Sequence, residues 1–99
     1  MSAPDELPRH VEILGKRWSI RRRKSKKDLG SCDHNRLVLY YDPNQPLPEL
    51  RDTILHEFMH AVTDQMSLGL SEKQIAGTAT LLLHALRANR SLVEFFLAE

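Results

Sequence analysis

Pro48-Glu-Leu-Arg-Asp-Thr-Ile-Leu-His-Glu-Phe-Met-His-Ala-Val-Thr-Asp-Gln-Met66 reads as one amphipathic helix. Proline stands where a first helical turn tolerates a missing N–H, and Glu49 and Asp52 place acids near the positive end of the helix dipole. Leu50, Ile54, Phe58, Ala61 and Val62 recur at helical spacing, which predicts an apolar stripe turned toward a core. His56 and His60 are four residues apart on that helix and so point the same way. Two imidazoles so placed can grip one zinc ion. Glu57, about 100° around the helix from His56, can then act on a water at that metal. The pattern His-Glu-x-x-His arises by chance in roughly 2% of chains of this length and content, and the helical context lowers that further. Two solvent-facing histidines on an amphipathic helix are the ordinary alternative.

Outward from this helix, bulk composition narrows the class. Ninety-nine residues suffice for a single domain, taken here as residues 1–99, with no room for a second core. A hydrophobic fraction of 41% and a charged fraction of 27% are ordinary for a globular chain, and a net charge of +1 excludes a polycation. No apolar run approaches the ~20 residues that span a bilayer. The start, Met1-Ser-Ala-Pro-Asp-Glu-Leu-Pro8, is polar and acidic, unlike a signal peptide, and residues 1–9 are expected to fray. A lone cysteine, Cys32, excludes an internal disulfide and fits a reducing compartment, so a cytoplasmic location is expected. So small a chain suits a bacterial or phage genome.

Upstream, Val11 and Ile13, then Trp18 and Ile20, alternate around Gly15-Lys16, which reads as one kinked strand or two short ones. Arg21 to Lys27 is a basic run, and Asp28 to Asn35 has turn chemistry. Arg36 to Tyr41 is the clearest strand, stopped by Asp42-Pro43, with a proline-rich loop leading into the helix. Downstream, Gly69 is placed to cap that helix, and Ser71 with Gln74 forms a capping-box pattern for the next. Ile75, Ala79, Leu82, Leu83 and Leu86 make its stripe. A last helical piece over Ser91 to Leu97 is expected to turn Leu92, Phe95 and Phe96 inward. The fold class is α+β, with a small antiparallel sheet followed by two or three helices.

A zinc site needs a third protein ligand. Asp64 is one turn beyond His60 but about 12 Å along the axis from His56, so it is better suited to orienting His60 from behind. Glu72 opens the next helix on the face of Ile75 and Ala79, where a carboxylate is costly to bury unless paired or metal-bound. A solvated acid at a helix N-terminus is the plain alternative for it. His84, further along the second helix among leucines, is a rival ligand and equally a boundary histidine.

Other residues carry weaker signals. Tyr40, Tyr41, His34 and His84 are available to stabilise an oxyanion, and the sequence does not choose among them. Cys32, in a turn beside Asp33 and His34, reads as a half-buried small residue. The basic run holds six positive charges in seven residues, with Trp18 just upstream as a possible stacking partner for a base. A solvated loop explains that run more simply than a nucleic-acid site. A zinc-stabilised module without catalysis is the other competing class, although no convincing fourth ligand is present for a closed structural site.

The string His56-Glu-Phe-Met-His-Ala-Val-Thr-Asp64 resembles the active-site helix of thermolysin-type gluzincins. Glu72-x-x-Ile-x-x-Thr-Ala79-x-x-Leu82-Leu83 is similar to the glutamate helix of ImmA/IrrE-type peptidases. The order of a Gly-x-Cys-Asp turn (Gly30 to Asp33), a short apolar strand and an Asp-Thr-x-x-His-Glu helix (Asp52 to Glu57) resembles small phage-encoded zinc peptidases. The resemblance spans roughly residues 29–90, with a shorter His60-to-Glu72 spacing than in the larger gluzincins. It implies a minimal zincin-like domain that hydrolyses peptide or protein substrates with Zn2+. It also implies His56, His60 and Glu72 as metal ligands, Glu57 as general base, and an edge strand that holds the substrate. For that edge the sequence offers Leu37 to Tyr41.

Overall fold

A computed structural model describes residues 6–99. The fraying expected for residues 1–9 falls partly outside that range. Where the chain is described, Leu7 packs against the core and the Arg9 carbonyl accepts a hydrogen bond from Ile20 N–H at 2.7 Å.

Strands β1 (His10–Ile13) and β2 (Lys16–Arg22) form an antiparallel hairpin in which Ile13 faces Lys16. Both intervening residues have positive φ, Leu14 at 50° and Gly15 at 84°. A two-residue turn needs that to match the twist of its strands, and Gly15 adopts it freely. The interruption seen in the sequence is therefore a hairpin turn between two strands.

Strand β3 (Gly30–Asp33) lies within the stretch expected to be a turn. It is too short and polar to read as a strand, and becomes one by pairing antiparallel with β4 (Val38–Tyr41). The turn itself is shifted downstream. Asp33 Oδ1 accepts the N–H groups of Asn35 and Arg36, each at 3.0 Å, and Leu37 closes the turn at φ 57°. That positive φ delays the strand expected from Arg36 until Val38.

The sheet order is β1-β2-β4-β3, and β2 pairs with β4 in parallel. The α+β class stands, but the sheet is mixed rather than wholly antiparallel. After β2 the chain lays β3 on the far edge and then returns as β4 through the gap. Ile13, Trp18, Ile20 and Leu39 fill one face of the sheet and pack with Ala61, Ile54, Phe58 and Val62 of helix α1 (Leu47–Gln65). Fully burying such side chains stabilises by about 1.5–3 kcal/mol each. Trp18 is 1% exposed, which removes it as a stacking surface for a base. Its Nε1–H donates to Gln65 Oε1 at 2.9 Å, while Gln65 Nε2 donates to the Ile13 carbonyl at 3.1 Å. One amide thus fastens the end of α1 to the first hairpin.

Helix α1 ends earlier than the Gly69 cap implied. Ser67 takes the left-handed position (φ 52°), with Ser67 N–H bonded to the Asp64 carbonyl at 3.2 Å and Leu68 N–H to the Thr63 carbonyl at 3.0 Å. These two bonds are those of a Schellman cap, here built on serine. Ser71 then caps helix α2 (Glu72–Ala88) with the reciprocal Gln74 bonds expected.

Ile75 and Ala79 of α2 are buried, but Leu82 and Leu86 are exposed. Helix α3 (Arg90–Leu97) packs on α2 alone. The inward setting expected for Leu92, Phe95 and Phe96 is therefore corrected: Phe95 is 74% and Phe96 67% exposed, and Leu92 is also exposed. Among the described residues no helix is long and apolar enough to cross a membrane.

Candidate metal centre

Three faces of α1 do three jobs. One carries the apolar stripe. A second buries Thr53 and Glu57, one turn apart, and merges with the stripe at Ala61. The third presents His56 and His60, whose Nε2 atoms lie 3.2 Å apart as their spacing requires.

The turn after α1 brings α2 back antiparallel, and its first residue meets this third face. Glu72 Oε1 lies 2.7 Å from His56 Nε2, and Glu72 Oε2 lies 2.8 Å from His60 Nε2. Because α1 stops at Gln65, the return is shorter than a helix running to Leu68 would demand. The Glu72 side chain is 67% exposed. Desolvation therefore does not select it; position at the helix start does.

His56, His60 and Glu72 form a group that could hold a metal ion, with one donor atom from each lying within 4.8 Å of the others. The donor types suit zinc, and so does the spacing of the two imidazoles, whereas the Glu72 oxygens sit closer, at hydrogen-bond distances of 2.7 and 2.8 Å from them. Tetrahedral bonds of about 2.0–2.1 Å to nitrogen and oxygen place donor atoms about 3.3 Å apart, close to the 3.2 Å between the two imidazoles. Two imidazole nitrogens and one carboxylate would leave one position of a four-coordinate ion unfilled by these residues.

Glu57 lies beside the group at 7% exposure, its Oε2 close to the backbone of Gly30. Burial pushes its carboxyl up to about 7; His56 pulls the other way, and Glu72 and Asp28 add repulsion. An open cavity of about 270 Å³ fronts the site, reaching from Lys27 and Asp28 past Gly30 to His56, Glu57 and Glu72.

No family model matches the chain, and no curated protein or solved structure does either. The site rests on its own geometry.

The other candidate ligands are elsewhere. Asp64 Oδ2 lies 3.2 Å from His34 Nδ1, so it orients His34 rather than His60. His84 belongs to a neighbouring concavity with Leu83, Thr80 and Arg87, outside the metal-ligand group. None of the four side chains considered for an oxyanion lines the cavity at Glu57. Tyr40 is covered by the Arg23 guanidinium at 3.9 Å, Tyr41 packs against the core, and His34 stands edge-on to Trp18.

Two residues of the site were not singled out from sequence. Lys27 lines the cavity, although in the sequence it is one of several lysines in a basic run. Gly30 allows β3 to approach α1, since a Cβ there would sit 2.6 Å from Thr53 Cγ2 and 3.0 Å from Glu57 Oε2. A glycine among turn-like residues gives no sign of that contact. The approach is held from the other side by Gln45, which accepts from Thr53 Oγ1 at 2.8 Å and donates to the Leu29 carbonyl at 2.9 Å.

Proposed function

We propose that this chain is a zinc-dependent peptidase of the gluzincin type. The observation that carries the reading is the convergence of His56 Nε2, His60 Nε2 and the Glu72 carboxylate on one point, with the Glu57 carboxyl buried next to it. His56, His60 and Glu72 would hold the ion. Zinc bound there would supply Lewis-acid polarisation of a carbonyl and a lowered pKa for water.

The chain's own residues supply the rest. Glu57 takes a proton from the water whose oxygen bonds to the peptide carbonyl carbon and passes it to the amine as the C–N bond breaks, a role that suits a carboxyl whose affinity for protons is raised by burial. Lys27 places an ammonium on the same cavity, where it can face developing negative charge.

The substrate edge is β3 rather than Leu37 to Tyr41, because β4 lies between β2 and β3. The Leu29 carbonyl accepts from Asp42 N–H at 2.9 Å, so strand alternation turns the main-chain groups of Gly30 and Cys32 outward. An extended peptide paired there would pass in front of Glu57.

The test is a peptide-library digest by zinc-loaded protein, with metal content measured alongside. Cleavage at defined bonds, lost in Glu57→Gln while zinc stoichiometry is kept, is the expected result. A variant that cleaves as fast as the parent would remove Glu57 from the reaction.

A further inference from the structure

Charge in this chain is divided sharply along its length. Residues 9–27 carry nine Lys and Arg against one acid, Glu12, whereas residues 28–99 carry five against ten. A net charge of +1 conceals that division. The fold converts it into a surface, because residues 10–22 are the β1–β2 hairpin and residues 23–27 the loop that follows.

Alternation along β2 turns Trp18 and Ile20 into the core, so Arg17, Ser19 and Arg21 project from the opposite face. The register sets His10 beside Ser19, and Arg21 beside Tyr40, which in turn neighbours Ser31; it also sets Glu12 beside Arg17 and Asp33 beside Val38, so two acids share the face with Arg17, Arg21 and Arg23. Among the described residues no helix covers this face, since α1 packs on the core side and α2 and α3 reach no strand. On it the Arg23 guanidinium stacks over Tyr40 at 3.9 Å and donates to Ser31 Oγ at 2.6 Å, which fixes a flat cation on an aromatic ring. At one end of the face lies a cavity of about 430 Å³, bordered by Arg9, His10, Ser19, Arg21, Arg22 and Tyr41.

We propose that this uncovered sheet face binds single-stranded nucleic acid. Arg17 and Arg21 on the face, together with Arg9 and Arg22 where they border the cavity at its end, would contact phosphates, and the Arg23–Tyr40 pair would offer a plane on which a base can stack. The hydroxyls of Ser19 and Ser31 add hydrogen-bonding groups that a phosphate or sugar can use. Among the side chains projecting here, Val38 is buried and no large aliphatic one stands free to enter a bilayer. The face therefore favours a nucleic-acid strand over an anionic membrane. The inference does not depend on the metal group, which lies on α1 and α2 across the sheet.

Fluorescence anisotropy with a labelled single-stranded oligonucleotide, longer than the ~4–16 nucleotides that single-strand folds cover, tests it. Four or five phosphate contacts predict a log–log salt slope of about −3, measured between about 50 and 200 mM salt and unchanged by a chelator. Arg21→Glu with Arg22→Glu should weaken binding at least about tenfold and flatten the slope by about 2. Lys73→Glu with Arg90→Glu makes the same change of net charge on the helices and should leave binding within about twofold. Tyr40→Leu should weaken binding by about fivefold or more with the slope kept, since it removes the stacking plane and no charge. Circular dichroism of each variant verifies that it is folded. Equal loss from the two charge-reversal pairs, full affinity in folded Tyr40→Leu, or tighter binding to phosphatidylserine-containing vesicles than to the oligonucleotide would each overturn the proposal.

Discussion

Gly30 lies so close to Glu57 that a methyl group added to the glycine would sit 3.0 Å from Glu57 Oε2. Its distance to Thr53 Cγ2, on the preceding turn of α1, would be only 2.6 Å. The first residue of the edge strand and the buried acid of the helix are thus fitted to each other, and hydrogen is the only substituent that the contact admits.

Gly30→Ala is therefore expected to displace β3 from α1. Overpacking of this kind costs about 1–3 kcal/mol, and a 1 Å misplacement of reacting groups costs about 100-fold in rate. The proposed peptidase activity should fall far more than thermal stability explains. Gly77→Ala is the matched contrast, since a Cβ there meets nothing within 4 Å and the position is mid-helix. It should stabilise the protein by about 0.5–1 kcal/mol in a urea melt. A Gly30→Ala protein with full activity would show that the contact is dispensable.

Metal affinity separates the two acids and the one histidine considered for the third position. Glu72→Ala should weaken zinc binding by more than the ~10–100-fold typical of residues that only support a ligand. Asp64→Ala and His84→Ala should leave it within a few-fold, because Asp64 faces His34 and His84 lies in the adjoining concavity. Competition against a chromophoric chelator measures all three, and the opposite ranking would move the third ligand away from Glu72.

Ser67 occupies the left-handed cap position at φ 52°. A residue with a Cβ is strained there by about 1–2 kcal/mol, partly offset by the ~0.5–1 kcal/mol of chain entropy that glycine loses on folding. Ser67→Gly should accordingly raise the melting temperature by a few degrees. Gly69→Ala, at φ 68°, should lower it.

The Cys32 thiol is pushed from 9.0 to about 12, by burial first and then by Glu57, Asp64 and Asp33. It should stay protonated at neutral pH and react slowly with iodoacetamide at about pH 8, at least ~10-fold slower than in urea, with mass spectrometry as the readout. The unfolded thiol ionises near 9.0 while the folded one waits until about 12, so ionisation favours unfolding as pH rises through that window. Alkylation as fast in the native protein as in urea would contradict this environment.

Local pattern carried a good part of this protein. The four-residue spacing of His56 and His60 places them on one helical face wherever that helix is put, and the Ser71–Gln74 capping box closes within a single turn. Both depend on contacts a few residues long, which sequence states directly. The α+β class followed for the same reason, from helical and alternating periods in separate stretches.

What escaped depended on partners far along the chain. Gly30 to Asp33 looks like a turn until β4 gives it hydrogen bonds, and β4 looks like an edge until β3 covers it. Trp18 looks available to a ligand until Gln65, forty-seven residues later, takes its N–H. Phe95 and Phe96 look like core, but among the described elements α3 meets only α2 and both rings are left exposed. Sequence set which side chains share a helix and how they are spaced, because those distances are fixed by backbone geometry. Folding alone determined that Glu72 meets both imidazoles, that Gly30 meets Glu57, and that the basic hairpin keeps one face bare. Each of these requires two segments to be packed against each other or left apart, and that is a property of the whole chain's burial rather than of any stretch within it.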